Sequence, residues 1–546
     1  MEKLTRRAGS GNLMESSTGG NVAVPAKTTE KTIQKSGITS VILMGCTLAS
    51  RILGLARNAV ITFIFGGSGT ADVWNLVFMI PNNFRKLFAE GALSSAFIPV
   101  LSSSLVKDSS GEESRKISRN IISFQLLILV PVTFLGIIFA GPLMNILALF
   151  PDPEKMALSV PLFRYVFSYV LFISISAVLM GVLNSNNVFI PPALTPLIFS
   201  VTTILSIGFL HPLLGIYSVV PGILLGGVLQ IIVQLPFYHK KGYDLRPDFN
   251  FANDNFRQIL KLWLPILIAS SIFTINQQVA MVLASALEDG STSALSNALV
   301  FFQLPFGIIT ASITTVLFPR MSREAASRNI EDLRSSFSYG LNFILIFLIP
   351  AAIAYLMLGE HIIALVLERG KFLPENTLMT FRVLSGYSLG LFSLGAFTFC
   401  QRFFYAFKDY KTPVIVSAGV VVIDILLSVW LMNTPLRVSG LAVANSVAFT
   451  IGFIVLLFMA RSRIKRIGGK RFVINLFKVG ASMVVFILSL YLYINMAGNT
   501  WQTESSLLNL AYLSGAVLMG MGITFVLYYI TRIDIIRGIL KGKVCK

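Results

Sequence analysis

The sequence predicts an all-α polytopic membrane protein: about fourteen transmembrane helices, in two parallel six-helix lobes followed by a C-terminal helix pair. Three observations carry this prediction. The 546 residues are 55% hydrophobic and 13% charged, with a mean hydropathy of +0.77, whereas soluble domains hold about 25% charged residues. Apolar runs of roughly the 20 residues needed to cross a bilayer recur from Ile38 almost to the end. The chain also resembles itself at a spacing of about 220 residues.

Taken in order, residues 1–36 are rich in Ser, Thr, Gly and Lys and lack the apolar core of a signal peptide, so they read as a disordered tail. The N-terminal lobe, 37–238, holds spans at 37–65, 72–103, 119–141, 160–183, 190–211 and 215–238. A cationic linker, 239–257, leads to the C-terminal lobe, 258–460, with spans at 258–286, 292–320, 336–358, 378–406, 412–433 and 438–460. Residues 461–546 contain the last pair, at 472–496 and 506–531, and a basic tail. Spans one, two, seven, eight and ten contain Gly, Pro, Ser or charged residues, which predicts helices that are bent or that line a cavity instead of facing lipid. The segment Ile362–Phe372 reads as an interfacial loop anchored at the membrane surface.

The repeat rests on three matches in the same order. Phe78-Met-Ile-Pro81 recurs as Phe302-Gln-Leu-Pro305, Ala96-Phe-Ile-Pro99-Val-Leu-Ser102 recurs loosely as Leu317-Phe-Pro319-Arg-Met-Ser322, and the turn before Pro191 matches the turn before Pro413. Six spans per repeat return the chain to its starting side. The halves are therefore parallel, related by a pseudo-twofold axis along the membrane normal.

A net charge of +19 would suggest nucleic acid in a soluble protein. Here the cations cluster in short segments between apolar runs, the footprint of membrane orientation and anionic lipid surfaces, so no nucleic-acid partner is expected. The loops after odd-numbered spans hold only Lys155, Arg369, Lys371 and Arg437; the tails and remaining loops are far richer. Both termini and the loop near Lys240 are therefore expected on the cytoplasmic side, with the loops near Lys155 and Asp289 opposite. Cys46, Cys400 and Cys545 show no paired spacing and read as packing residues. Three isolated histidines, His211, His239 and His361, read as interfacial or solvated. No nucleotide, hydrolase or metalloprotease motif occurs in a fitting context, so neither an enzyme nor a cofactor is indicated. Any transport would be passive or driven by the membrane potential or a Na+ or H+ gradient.

Charge inside the spans is the feature that demands a function. Arg51 and Arg57 lie in Ser50-Arg-Ile-Leu-Gly54-Leu-Ala-Arg57-Asn58; Asp72 follows, then Arg85, Lys86 and Glu90 in Pro81-Asn-Asn-Phe-Arg-Lys-Leu-Phe-Ala-Glu90. A cation at mid-membrane costs roughly 2.5 to 3.5 kcal/mol on insertion scales, so several in adjacent helices require a polar cavity. Arg57 shares a helical face with Ser50 and Gly54, and Arg51 shares one with Asn58. Guanidinium forks suit a diphosphate, since they donate paired hydrogen bonds and stay charged when desolvated. The competing reading is internal pairing of these arginines with Asp72 and Glu90. Asp424, a lone acid in span eleven, reads either as an ion or proton site or as a neutralised packing residue. Asn276, Gln277 and Gln278 read as cavity-lining or helix-tying.

These strings, with Arg369-Gly-Lys-Phe372 and Phe404-Tyr-Ala-Phe-Lys-Asp-Tyr-Lys-Thr-Pro413, resemble the MurJ (MviN) lipid II flippases of the MOP exporter superfamily, from about residue 37 to the last spans. The resemblance implies two six-helix lobes around a central cavity and a last helix pair grooved for a polyprenyl tail. It implies transport of undecaprenyl-diphosphate-linked disaccharide-pentapeptide across the bacterial inner membrane for peptidoglycan synthesis. By motif position, Arg51, Arg57 and Arg85 match the family's cavity arginines, Asp72 and Glu90 its acids and Lys86 a basic position; Ser50 and Asn58 join the substrate-binding set. The sequence departs from the family pattern at Asn58, where an acid is frequent, at Val300, where span eight usually carries an arginine, and at Ala280, where sodium-binding members carry an acid. Beside the favoured lipid II flippase stand a flippase for another polyprenyl-linked saccharide, a cation-coupled exporter, and a non-transporting scaffold for cell-wall synthesis proteins.

Overall fold

The computed structural model describes residues 26–87, 92–108, 110–464, 469–497, 506–533 and 535–536. Among these, every regular element is a helix. The first group comprises α1 (Ala26–Phe65), α2 (Thr70–Arg85), α3 (Ala92–Lys107), α4 (Glu112–Ile138), α5 (Ala140–Leu147), α6 (Pro153–Phe167), α7 (Tyr169–Ser185), α8 (Ile190–Leu214) and α9 (Val219–Lys240). The second comprises α10 (Asp254–Ser285), α11 (Ser291–Pro305), a π-helical turn (Phe306–Thr310), α12 (Ala311–Ala326), α13 (Ile330–Leu367), α14 (Pro374–Ser388), α15 (Leu391–Ala406), α16 (Lys411–Leu431) and α17 (Arg437–Ile464). The closing pair is α18 (Gly469–Ala497) and α19 (Ser506–Ile530).

Among the described residues, ten helical stretches are long and apolar enough to cross a membrane, eleven with α14 and α15 taken as one span bent by 45°. The sequence predicts fourteen, and two of the three missing spans have physical sources, while the third, predicted span seven, corresponds to the 32-residue α10. The stretch Ile190–Lys240 is 51 residues long, far more than one crossing needs. It folds back on itself: Ser206 faces Gly222, Thr202 faces Gly226, and Gln230 Nε2 donates to Thr195 O at 3.0 Å, so α8 and α9 run antiparallel. Predicted span two is divided between α2 and α3, each of 16 residues and shorter than a crossing. Two expectations are corrected outright. Residues 26–36, read as tail, already belong to α1. Ile362–Leu367, read as a surface loop, is the last part of α13, and Gly370 and Lys371 dock on α1, where Lys371 N donates to Phe63 O at 2.9 Å.

Lipid is as apolar as leucine, so helix association depends on close packing. Glycines make the room: a Cβ on Gly340 would run into the Phe399 ring, one on Gly386 into Ala442, and one on Gly452 into Val420. Large apolar side chains such as Phe134, Phe209, Phe458 and Phe477 point outward, the surface expected against hydrocarbon. The closing pair packs on α13, with Val479, Phe486 and Ala516 buried beside Leu345 and Ile346 and Tyr528 Oη donating to Ile346 O.

The repeat is visible where the two groups meet. Gly69 N donates to Asp289, Asp72 accepts from Thr292 and Ser293, and Asn75 donates to Ser293, all at the repeat offset of about 220. Equivalent positions touch one another only beside a pseudo-twofold axis. A second sign is the π-helical geometry at Lys86–Leu87 and again at Phe306–Thr310. The loops sort by parity as well: residues 66–69, Lys155, Asp289 and Lys371 gather at one end, while Arg119 at the start of predicted span three pairs with Asp244, and Arg334 with Ile464 O, in the region predicted for the other.

Candidate substrate cavity

Between the groups lies a cavity of about 420 Å³, lined by α1, α2, α7, α8 and α9 on one side and α10 and α11 on the other. Its charge is one-sided: Arg57, Arg85 and Lys86 line it, and no acid does among the described residues. Helical periodicity explains the arrangement, because Asn75, Phe78, Asn82, Arg85 and Lys86 recur at three- and four-residue steps and share one face of α2. Arg57 projects from α1 over the Phe199 ring, 5.1 Å from its centroid, and Phe199 is itself braced by Tyr169 at 5.3 Å and Phe78 at 6.2 Å. A ring beneath a guanidinium leaves its in-plane donors directed sideways. Arg85 Nε donates to Asn82 Oδ1 at 3.0 Å, and Lys86 Nζ to Gln277 Oε1 at 3.2 Å.

The remaining predicted residues are distributed differently. Ser50 and Asn58 line the cavity, and Asn58 Nδ2 also donates to Asn297 Oδ1 of the opposite group at 2.7 Å. Arg51 is not among the lining residues; its guanidinium lies against Gly307 across the interface. Glu90 lies outside the described residues. Asp72 faces away from the cavity. It is 2% exposed and accepts from Gly290 N at 2.7 Å, Thr292 Oγ1 at 2.8 Å, Ser293 N at 2.9 Å and Lys155 Nζ at 2.8 Å. A carboxylate on the orphan N–H groups of a helix start is a strong cap, so Asp72 of α2 holds the beginning of α11. Asp289 returns the contact to Gly69 N at 2.8 Å, and Lys155 bridges the two carboxylates. Burial alone would raise the Asp289 carboxyl; the hydrogen bonds from Lys155 and Gly69 outweigh it and hold it below its usual range.

Asn276, Gln277 and Gln278 separate as successive 100° steps require. Gln277 reaches the cavity, Gln278 accepts from Asn83 at 2.9 Å, and Asn276 turns to Asp424, to which it donates at 2.7 Å. Asp424 is 4% exposed on α16, away from the cavity, and also accepts from Asn445 at 2.7 Å and Ser428 at 3.3 Å. Sequence reasoning missed Gln230 and Gln303, polar cavity residues whose signal was a glutamine within an apolar run, and Phe199, whose role beneath Arg57 has no local signal.

The profile of the lipid II flippase MurJ family matches residues 61–512. The chain belongs to the MurJ lipid II flippase family. A relative from Borreliella burgdorferi, named a probable lipid II flippase MurJ, is 33% identical over 503 residues, covering 92% of this chain and 98% of that one. Another so named, from Buchnera aphidicola subsp. Baizongia pistaciae, is 30% identical over 493 residues, covering 88% and 94%. A solved structure of lipid II flippase MurJ in an inward closed conformation superposes with a TM-score of 0.75 at 28% identity, covering 90% of this chain and 99% of that one. An inward-facing multidrug resistance MATE transporter of the MOP superfamily shares the fold, with a TM-score of 0.61 at 15% identity over 77% of this chain and 96% of its own. Membership in the MurJ family, with many apolar helices, makes this a multi-pass inner-membrane transport protein.

Proposed function

We propose that this protein moves lipid II, the undecaprenyl-diphosphate-linked disaccharide-pentapeptide, from the inner to the outer leaflet of the bacterial inner membrane by alternating access between its lobes. The observation that carries the reading is the cavity between the lobes, lined by Arg57, Arg85 and Lys86 and by no described acid, in a chain of this family. A surplus of fixed cations in a low-dielectric site is stabilised by an anionic guest, and the diphosphate is the charged group of the substrate that fits paired guanidinium donors. It is unsuited to cationic drugs.

In this reading the termini and the linker near Lys240 are cytoplasmic, the capped contact of Asp72, Lys155 and Asp289 closes the periplasmic end, and the cavity receives substrate from the cytoplasmic leaflet. The membrane potential drives the cycle. A net cationic empty cavity is drawn back toward the negative interior by about 2.3 kcal/mol per charge per 100 mV, and an anionic load is pushed outward. Complementation tests the assignment: the gene should restore growth and lipid II externalisation to a bacterium depleted of its lipid II flippase. Growth without it, or folded protein with no externalisation, would refute it.

A further inference from the structure

Arg51 stands on α1 of the first lobe, but its guanidinium rests on the second. A Cβ built on Gly307 would stand 3.0 Å from both Nη1 and Nη2 of Arg51 and 3.4 Å from Cζ, and these are the three nearest atoms it would meet. The end of the fork, Nη1 and Nη2 together, therefore abuts the π-helical turn Phe306–Thr310, one turn beyond Gln303, which lines the cavity. Ser50 beside Arg51 and Gly54 three residues on also line it, so the seat is at the cavity rim. The second lobe's own lining residues (Gln277, Met281, Ser296, Leu299, Val300 and Gln303) carry no charge. Single π turns are rare and frequent at functional sites, where an extra residue reshapes one stretch of helix surface.

We propose that Gly307 is a positioning residue of the substrate site: by lacking a side chain it seats Arg51 across the lobe boundary, so the second lobe grips the diphosphate through an arginine of the first. Arg57 is seated on Phe199 within the first lobe. One diphosphate held by both arginines then ties the two lobes to a single anion. That gives bound substrate a differential affinity for the conformation in which both seats face the cavity, which any ligand-driven change of conformation requires. This inference rests on the diphosphate reading above.

The test uses the full-length protein in lipid nanodiscs, with lipid II and undecaprenyl diphosphate titrated as probes. Gly307→Ala replaces a helical glycine by a better helix former, and the three atoms nearest its Cβ belong to the end of the flexible Arg51 side chain, so its melting temperature should be equal or higher. It should bind both probes about tenfold more weakly. In the Arg51→Ala background the same substitution should change nothing, since residues acting through one another are non-additive. Wild-type affinity for Gly307→Ala, or an equal loss in both backgrounds, would overturn the proposal. The parallel control Arg57→Ala separates the two claims: if it too binds like wild type, the diphosphate site itself is misplaced, whereas its loss beside an unaffected Gly307→Ala removes Gly307 alone.

Discussion

Arg57 and Asp424 are both charged residues inside predicted spans, and their surroundings give them opposite characters. Arg57 faces an open cavity with two further cations, over a ring that orients it. Removing it should leave the diphosphate short of charge-assisted hydrogen bonds worth roughly 1.5 to 3 kcal/mol each, so Arg57→Ala should lower lipid II externalisation by one to two orders of magnitude per folded molecule. Arg57→Lys keeps the charge without the fork and should retain partial function. Full activity in the alanine variant would make the arginine a packing residue. Asp424, by contrast, is enclosed by two amides and a hydroxyl that all donate to it. Asp424→Asn keeps the shape and removes the charge; we expect folded protein whose transport is slower and loses its dependence on sodium concentration or pH. Unchanged flipping across both ranges would leave Asp424 with packing alone.

Among the elements, α2 and α11 decide how the lobes meet. Each begins after a glycine of positive φ, Gly69 at 60° and Gly290 at 92°, and each start is capped by an acid of the other repeat. Asp72→Asn weakens four contacts to one carboxylate, so lobe separation at that end, read by the distance between paired spin labels, should become easier by about 1.5 to 3 kcal/mol. Asp289 adds a pH dependence. Its folded carboxyl titrates below the unfolded value of about 3.9, so its contribution is present at neutral pH and is lost as pH falls below roughly 4. The label distance should widen in that acid range, and Asp289→Asn should remove that component. An acid response identical in Asp289→Asn would place the sensitivity elsewhere.

For the whole molecule, the sorting of loops into two ends makes topology the decisive measurement. Single cysteines near Lys155 and Asp289 should react with an impermeant thiol reagent on intact cells, and one near Lys240 should not. Labelling at Lys240 alone would invert the protein and, with it, the assigned direction of transport. The linker after Lys240 is itself ordered against α4, with Arg119 paired to Asp244 at 2.5 Å, which holds that carboxyl below its usual range, and Asn120 donating to Asp248 O.

The all-helical membrane fold, its parallel repeats and the cationic stretch of spans one and two were legible in the sequence, because lipid demands long apolar helices and makes each buried charge conspicuous. Arg57, Arg85, Lys86, Ser50 and Asn58 line one cavity for that reason: helical periodicity gathers them onto the inner faces of α1 and α2. Periodicity does not say which neighbour a face will meet. That Asn276 turns to Asp424 was decided by how α10 packs on α16 within the second lobe, and that Asp72 caps a helix of the other repeat, that Gln277 turns to Lys86 and that Arg51 leans on Gly307 were decided by how the lobes dock. Such contacts join residues roughly 150 to 260 positions apart, and no local pattern encodes them. The chain's chemistry specified a cationic membrane cavity; the packing of one repeat on the other determined which charges reach it.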